Sequence, residues 1–579
     1  MEPFLQFDFT ETCSDKPICF ADPVQVIEVY HPHEISAAFQ KIEAAVQEGF
    51  YAAGFVSYEA AGGFDSIYQV HHTKVGFPLV WFGIFENPVE SNSRTEHLSG
   101  YQISDWTLDT TQEEYQNGIL QIKHAIEAGD TYQVNYTARL TAGFQGNDYS
   151  FYRQLKENQQ SDYSAYLNVG RYRILSASPE LFFQVSNGII RTKPMKGTAK
   201  RGRNLEEDER LKHRLYTSEK DRAENLMIVD LLRNDIGRIA KPGTVKVPDL
   251  FEIESYPTVH QMTSTIEAEL EPATTILDWF HALFPCGSIT GAPKISTMNY
   301  IYELEKSPRH VYCGAIGFIT PDREAVFNVP IRTVLLDTKE DTATYGAGGG
   351  VTWDSTIEGE YEELMAKARL LKEKRKTFQL LESMKLQDGR YPLYQLHIDR
   401  LMSSARYFGF AMDIEQVSQG LEHIAADNPR GAFKVRLLTD KSGDATVEAT
   451  TIRPIDKVVC SLAQAPVDRQ DPFLYHKTTH REVYEKHTRS APEGVFAVLL
   501  WNEEEELTEF TIGNIVLEQD GKFLTPPVES GLLAGTYRRE LLQKSQIKEQ
   551  VIKKEDLWHA DAVWLINGVR CWVPVQINQ

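Results

Sequence analysis

Two lysines stand in surroundings unusual for a surface cation. Lys196 lies in Pro194-Met-Lys-Gly-Thr198, a strand end running into a tight turn, and Ser178-Pro-Glu180 lies sixteen positions before it. A hairpin between them would bring Glu180 near Lys196. A lysine beside a carboxylate in a cleft is a nucleophile with an acid–base partner; the alternative is an ordinary surface ion pair. Lys477 lies in Tyr475-His-Lys-Thr-Thr-His-Arg481, between two histidines and near Arg481. Crowding by cations lowers a lysine pKa and favours reaction with carbonyl compounds; the alternative is a polar loop lysine.

Carboxylates come in pairs. Asp221 and Glu224 are spaced i, i+3, and so are Glu360 and Glu363. On helices such pairs share a face, and two of them opposed would give oxygen ligands for Mg²⁺. Two solvated acidic faces are the alternative, although the run after Glu224, Asn-Leu-Met-Ile-Val-Asp, has little solvated character. Lys367 lies one turn beyond Glu363, where it could meet a substrate carboxylate. Glycines mark close backbone approach in Phe284-Pro-Cys-Gly-Ser-Ile-Thr-Gly-Ala-Pro-Lys294 and in Gly346-Ala-Gly-Gly-Gly350. Neither is a P-loop or a Gly-x-Gly-x-x-Gly dinucleotide turn, so a nucleotide site is poorly supported.

The elements that must position these groups follow from periodicity. Gly54–Tyr58 reads as an apolar strand, Glu113 to Ala128 as an amphipathic helix stopped at Gly129-Asp130, and Tyr132–Leu140, Tyr163–Val169, Arg173–Ala177 and Leu181–Val185 as strands. Long helices are expected over Ser218–Ile239 and Glu358–Lys374. The charge run Lys372-Glu-Lys-Arg-Lys376 is the expected boundary, after which a strand, a turn at Gln387-Asp-Gly-Arg390 and a helix near His397 follow. The domains expected are 1–110, 111–375 and 376–579, the last with subdomains of about 376–465 and 466–579.

Composition sets the class. The 579 residues are 42% hydrophobic and 25% charged, a globular mix. A formal net charge of -22 argues against nucleic acid and anionic membranes, while leaving room for a local cationic pocket. The six cysteines form no Cys-x-x-Cys pair and read as free thiols of a reducing compartment. With no signal peptide and no membrane-length apolar run, a cytoplasmic location is expected.

Residues 1 to about 375 resemble the chorismate-utilising enzymes. The motifs are Gly129-Asp-Thr-Tyr-Gln-Val-Asn135, Ser178-Pro-Glu180, Pro194-Met-Lys-Gly-Thr198, the run Asp221 to Asp235, Phe284 to Lys294, Ile331-Arg-Thr333 and Glu360-Tyr-Glu-Glu363. Within that family, anthranilate synthases carry Ala where this chain has Lys196, and Lys resembles the aminodeoxychorismate synthase branch. The resemblance implies that Lys196 attacks chorismate and that Glu180 is general acid and base. It implies Mg²⁺ on Glu224 and Glu363, with Asp221 and Glu360 behind. Thr198, His260, Thr290, Tyr312, Arg332, Gly348, Gly350 and Lys367 would surround the substrate. No cysteine sits in a Gly-x-Cys-x-Gly glutaminase elbow, so ammonia is expected from a separate glutamine amidotransferase.

Residues 376 to 579 resemble the fold-type IV pyridoxal-phosphate enzymes, which include aminodeoxychorismate lyases. The residues are Lys477, Leu507-Thr-Glu-Phe-Thr-Ile-Gly-Asn514 and Gly531-Leu-Leu-Ala-Gly-Thr-Tyr-Arg538, where a helix start would cradle phosphate. The resemblance implies that Lys477 holds pyridoxal phosphate covalently and that Glu509 pairs with its ring nitrogen. Arg400, Gly535 and Thr536 would hold its phosphate. Asn567 lies where relatives have Asn-Ser, but Gly568 follows it here.

The fold expected is an α+β chorismate-binding fold with large antiparallel sheets, followed by a two-subdomain α/β pyridoxal-phosphate domain. The function expected is amination of chorismate, then release of pyruvate to give 4-aminobenzoate for folate. The resemblance also allows a homodimer through the C-terminal domain. The rivals are an anthranilate- or isochorismate-synthase type of enzyme, and a C-terminal domain serving as a transaminase or as a non-catalytic docking module.

Overall fold

The computed structural model describes residues 2–10, 16–73, 76–90 and 100–578. Cys13 lies outside them; the other five cysteines are free thiols. The chain divides into two compact units, Met1–Lys200 with Lys212–Arg375, and Arg201–Leu211 with Lys376–Gln579. No helix of the described residues is long and apolar enough to cross a membrane.

The first unit is built on two ten-stranded sheets. Their ladders are antiparallel, as between Gln133–Gly146 and Thr342–Val351, and between Leu181–Ser186 and Ile189–Lys193. Alternation along strands decides what each face buries. In Phe4–Phe9 the residues Leu5, Phe7 and Phe9 enter one core cluster and Phe4 another. Strands from the first 110 residues join both sheets: Phe4–Phe9 pairs with Tyr163–Val169, and Tyr51–Val56 with Ala315–Ile319. The expected N-terminal part is therefore woven into the same body as the motifs that follow.

Helix ends follow local chemistry. Helix Gln112–Ala128 starts in a capping box of Thr111 with Glu114 and stops at Gly129, whose φ of 83° only glycine adopts freely. Ser218 caps helix Glu219–Gly237, and Thr356 caps helix Ile357–Ala368. This last helix is shorter than expected. It tightens into a 3-10 turn over Arg369–Leu371, where Leu370 and Leu371 are buried, and the charge run beyond is irregular. Lys372 to Lys376 offers no apolar side chain that a further helical turn could bury.

The second unit has two main cores with two smaller clusters beside them. One lies between a three-stranded antiparallel sheet, Leu380–Gln387, Ala432–Thr439 and Ala445–Thr451, and the helices Tyr394–Phe408 and Ile414–Asp427. The other belongs to a mixed eight-stranded sheet, in which Val458–Leu462 runs parallel to both Ala497–Trp501 and Cys571–Asn578. Arg201–Leu211 also packs here, although sequence reading placed it in the 111–375 domain. Its composition is that of an ordinary polar loop and helix start, which carries no mark of its packing partner.

Candidate functional sites

The Lys196 site lies in a cavity of about 310 Å³ in the first unit. Leu181–Ser186 and Ile189–Lys193 form the expected hairpin, with Leu181 opposite Lys193, so Glu180 and Lys196 line the same cavity. Lys196 sits on strand Met195–Lys200, whose register against Val259–Glu269 shifts between Met195 and Thr198. A bulge of this kind re-aims a side chain, and Gly197 supplies the positive φ of 94° within it. Asn225, on helix Glu219–Gly237, donates to Lys196 O at 3.3 Å and accepts from Ser264 Oγ at 2.6 Å, fixing the bulge from behind. Sequence reading missed Asn225; its only signal was a polar residue opening an apolar helical run.

Burial pushes the Lys196 amine below the ordinary lysine range, against the charges of Glu180 and Glu224. Burial likewise pushes the Glu180 carboxyl up, against a hydrogen bond from Ser288 and the charge of Lys196. Glu180 Oε1 is buried without a hydrogen-bond partner. A lysine with lowered pKa beside a carboxyl with raised pKa can exchange a proton at little cost, as nucleophile activation and leaving-group protonation require.

Asp221, Glu224, Glu360 and Glu363 also line this cavity. Burial raises Glu224 and Glu360 above the carboxylate range. Glu363 stays low: burial acts upward, but Lys367 outweighs it with its charge and a 2.5 Å hydrogen bond. Ser355 donates to Glu360 Oε1 at 2.6 Å, while Glu360 Oε2 is buried and unpartnered. Orphaned carboxylate oxygen suits a hard divalent cation. Among the described residues no three acidic, His or Cys side chains are grouped so as to hold a metal ion; the two expected pairs share the cavity without forming such a group.

Thr198, Tyr312, Arg332, Gly348, Gly350 and Lys367 line the cavity. Lys367 Nζ also donates to Gly348 O at 2.7 Å, and Arg332 donates to Lys367 O at 3.1 Å. His260 and Thr290 do not line it. His260 is fully buried with Nδ1 against Ser255 Oγ at 3.0 Å, and Thr290 donates to Cys286 O at 3.1 Å. His260 Nδ1 and the Thr290 hydroxyl are thus each engaged by a protein neighbour. Gln133, Asn135 and Ser288 line the cavity instead, which sequence reading did not single out.

The Lys477 site is a second cavity, of about 650 Å³, within the second unit. Lys477 lies in a loop tied to strand Leu380–Gln387, since Leu381 N donates to Lys477 O at 3.0 Å. Burial lowers its pKa to about 8, aided by the charge of Arg400. Glu509, on strand Leu507–Phe510, accepts from Tyr484 Oη at 2.8 Å, Asn514 Nδ2 at 3.2 Å and Leu533 N at 3.2 Å. Burial raises Glu509 to about 7 despite these donors and the charges of Lys477 and Arg481.

Gly535 caps helix Thr536–Gln543, and a Cβ there would stand 2.0 Å from Asn514 Oδ1. Arg400 is held by Glu382 through hydrogen bonds of 2.8 and 2.6 Å, and Glu382 also meets His397 Nδ1 at 2.7 Å. Sequence reading missed Glu382, whose partners lie on a later helix. These residues fit a group with a carbonyl for Lys477, a basic ring nitrogen for Glu509 and a phosphate for the helix start. Asn567 and Gly568 line the same cavity, with Lys434, Arg436, Arg453, Arg481 and Arg570.

Comparison with known proteins agrees with this division. Aminodeoxychorismate synthase component 1 of Escherichia coli is 35% identical over 382 residues, 61% of this chain and 82% of that protein. Its counterpart from Salmonella typhimurium is 43% identical over 269 residues, 46% of this chain. The chain spans only 58% of the length of that relative. The crystal structure of anthranilate synthase component I from Streptococcus pneumoniae superposes with a TM-score of 0.52 at 27% identity, covering 64% of this chain and 90% of that one. Residues 379–577 match the class IV amino-transferase model and residues 9–373 that of chorismate binding enzymes. The chain therefore belongs to the chorismate binding enzyme family and carries a class IV amino-transferase domain behind it.

Proposed function

We propose that the chain makes 4-aminobenzoate from chorismate and ammonia in two steps, one per unit. The observation that carries this reading is a pair of half-buried lysines of lowered pKa, each sharing its cavity with a buried glutamate of raised pKa: Lys196 with Glu180, and Lys477 with Glu509.

In the first step the neutral Lys196 amine attacks the chorismate ring at C2 while Glu180 protonates the departing C4 hydroxyl, which leaves as water. Ammonia then adds at C4 and the C2–N bond to Lys196 breaks, giving 4-amino-4-deoxychorismate. Mg²⁺, when bound, would supply charge compensation for the substrate's carboxylate. Glu224 and Glu363 would hold it, with Asp221 and Glu360 behind them. Lys367, Arg332 and the bare backbone of Gly348 and Gly350 would orient the ring.

In the second step Lys477 Nζ takes the ring proton at C4. The ether C–O bond breaks, the ring becomes aromatic, and enolpyruvate leaves to be protonated as pyruvate. Pyridoxal phosphate, when bound, would supply the electron sink. Arg400, Gly535 and Thr536 would hold its phosphate and Glu509 its ring nitrogen. Lys434, Arg436, Arg453, Arg481 and Arg570 around this cavity suit a substrate with two carboxylates, which favours the lyase over transamination of a simple amino acid. Ammonia would come from a separate amidotransferase.

The test is to incubate the pure protein with chorismate, ammonium, Mg²⁺ and pyridoxal phosphate. We expect 4-aminobenzoate and pyruvate in equal amounts. Anthranilate as the aromatic product would overturn the reading of the first unit, and accumulation of aminodeoxychorismate that of the second.

A further inference from the structure

The Lys477 loop is braced by residues from far earlier in the chain. Arg201–Leu211 follows directly on the strand that carries Lys196, yet packs in the second unit. Arg201 grips Asp208 through Nε–Oδ1 and Nη2–Oδ2 bonds of 2.8 Å each. The pair is almost wholly buried, with side chains 11% and 2% exposed. Asp208 also accepts from Gly202 N at 2.8 Å, closing the segment into a compact strap.

The strap reaches two aromatic rings, Tyr407 and Tyr475. The Arg201 guanidinium lies 4.5 Å from the Tyr407 ring centroid and donates to Tyr407 O at 2.7 Å. Tyr407 Oη donates back to Gly202 O at 2.6 Å. The other face of the relay is His476, whose ring stacks on Tyr407 at 4.3 Å and 26° and shares a 2.9 Å hydrogen bond with Ser404. One residue earlier, Tyr475 Oη accepts from Arg203 at 3.2 Å, and Arg203 is itself held by Glu207 at 2.8 Å. The two residues before Lys477 are thus both clamped by the strap, while strand Leu380–Gln387 holds the Lys477 carbonyl.

We propose that Arg201–Leu211 is a positioning element of the second site: through Arg203–Tyr475 and the Arg201–Tyr407–His476 stack it fixes the backbone on which Lys477 stands. The proposal rests on Lys477 being the lysine that captures the cofactor. A charged, hydrogen-bonded pair that is almost wholly buried is costly to bury and costly to break, and here it lies against the stacked rings of Tyr407 and His476, next to one reactive amine. Positioning of this kind sets how well a reactive group is preorganised, so small displacements weaken capture without unfolding the domain.

The test uses the full chain with Asp208→Asn, Tyr407→Phe and Gly202→Ala. A Cβ on Gly202 would stand 2.2 Å from Asp208 N, prising the strap open; Tyr407→Phe removes only the hydroxyl bond. Amide hydrogen exchange over residues 475–477 is measured without cofactor. Affinity for pyridoxal phosphate and the pH midpoint of its bound absorbance are measured with it. Asp208→Asn and Gly202→Ala should exchange faster at 475–477 and bind the cofactor about tenfold more weakly, about the worth of one charged hydrogen bond. The pH midpoint should move, and chorismate consumption with ammonium by Asp208→Asn and Tyr407→Phe should match wild type. Unchanged exchange, affinity and midpoint in all three would overturn the proposal. Wild-type protein that captured no cofactor would instead remove the reading of Lys477, and the exchange comparison would still decide whether the strap braces the loop.

Discussion

A Cβ built on Gly350 would stand 3.1 Å from Lys196 Nζ and 1.8 Å from Gln133 Nε2. The glycine leaves room for the reactive amine, and its strand presents bare backbone to the cavity. Gly350→Ala should therefore displace the Gln133 amide and crowd Lys196. Gln133 is 1% exposed and has little space to retreat. The expected result is a folded protein with near-normal cofactor absorbance and a first reaction slowed well beyond its change in melting temperature. Chorismate turnover at wild-type rate would show that this space is not used.

The pairing of Lys196 with Glu180 predicts unequal losses. Lys196→Ala removes the covalent route and should abolish 4-amination, leaving at most ring amination at C2 to give anthranilate. Glu180→Gln keeps the nucleophile but not the acid, and should slow the step by about 10²–10⁴-fold. Product analysis by chromatography separates the two outcomes. Aminodeoxychorismate formed at normal rate by Lys196→Ala would remove the nucleophile assignment.

What was legible in the sequence, and what was not, follows from how far apart partners lie. The Glu180–Lys196 hairpin was readable because both motifs flank adjacent strands. The glycines of Gly346–Gly350 were readable because their spacing has no purpose in a strand except close approach. Asn225, Gln133 and Glu382 were not, because each acquires its role only from a partner brought in by tertiary packing. His260 and Thr290 differ from the other expected residues only in position, since a motif does not tell which of its polar residues lines the cavity. Arg201–Leu211 was invisible, since no periodicity tells a segment which of two cores it joins.

Glu382 predicts a pH effect on stability. Burial would raise its carboxyl, but Arg400 and His397 hold it at about 2, below its ordinary value of 4.5. A carboxylate whose folded pKa is depressed stabilises the fold above the ordinary value and loses that contribution as pH falls toward the folded one. Glu382→Gln leaves Arg400 and His397 without their counter-charge and should cost about 3–5 kcal/mol at neutral pH, the usual penalty for breaking a buried pair. The gap between wild type and variant should narrow from about pH 4.5 downward. Urea unfolding of the cofactor-free protein across this range checks it; a gap independent of pH would rule out the charge as its origin.

The last prediction joins the two lysines. Lys196 serves an amination and Lys477 an elimination, and none of the six cysteines sits in a glutaminase elbow. With ammonium salts the protein alone should therefore make 4-aminobenzoate, and with glutamine alone it should not. Lys477→Ala should stop only the second step, because the amine that captures the cofactor and carries the C4 proton is gone while the first cavity is untouched. Aminodeoxychorismate should then accumulate at the rate at which wild type forms product, and a separate lyase added to the mixture should restore 4-aminobenzoate. Mixing Lys196→Ala with Lys477→Ala protein should also restore it, since each supplies the site the other lacks and the intermediate can diffuse between molecules. If Lys477→Ala alone still releases pyruvate and 4-aminobenzoate at the normal rate, the second unit is a docking module and the elimination happens elsewhere. If glutamine alone suffices for the pure wild-type protein, an ammonia-releasing site exists within this chain.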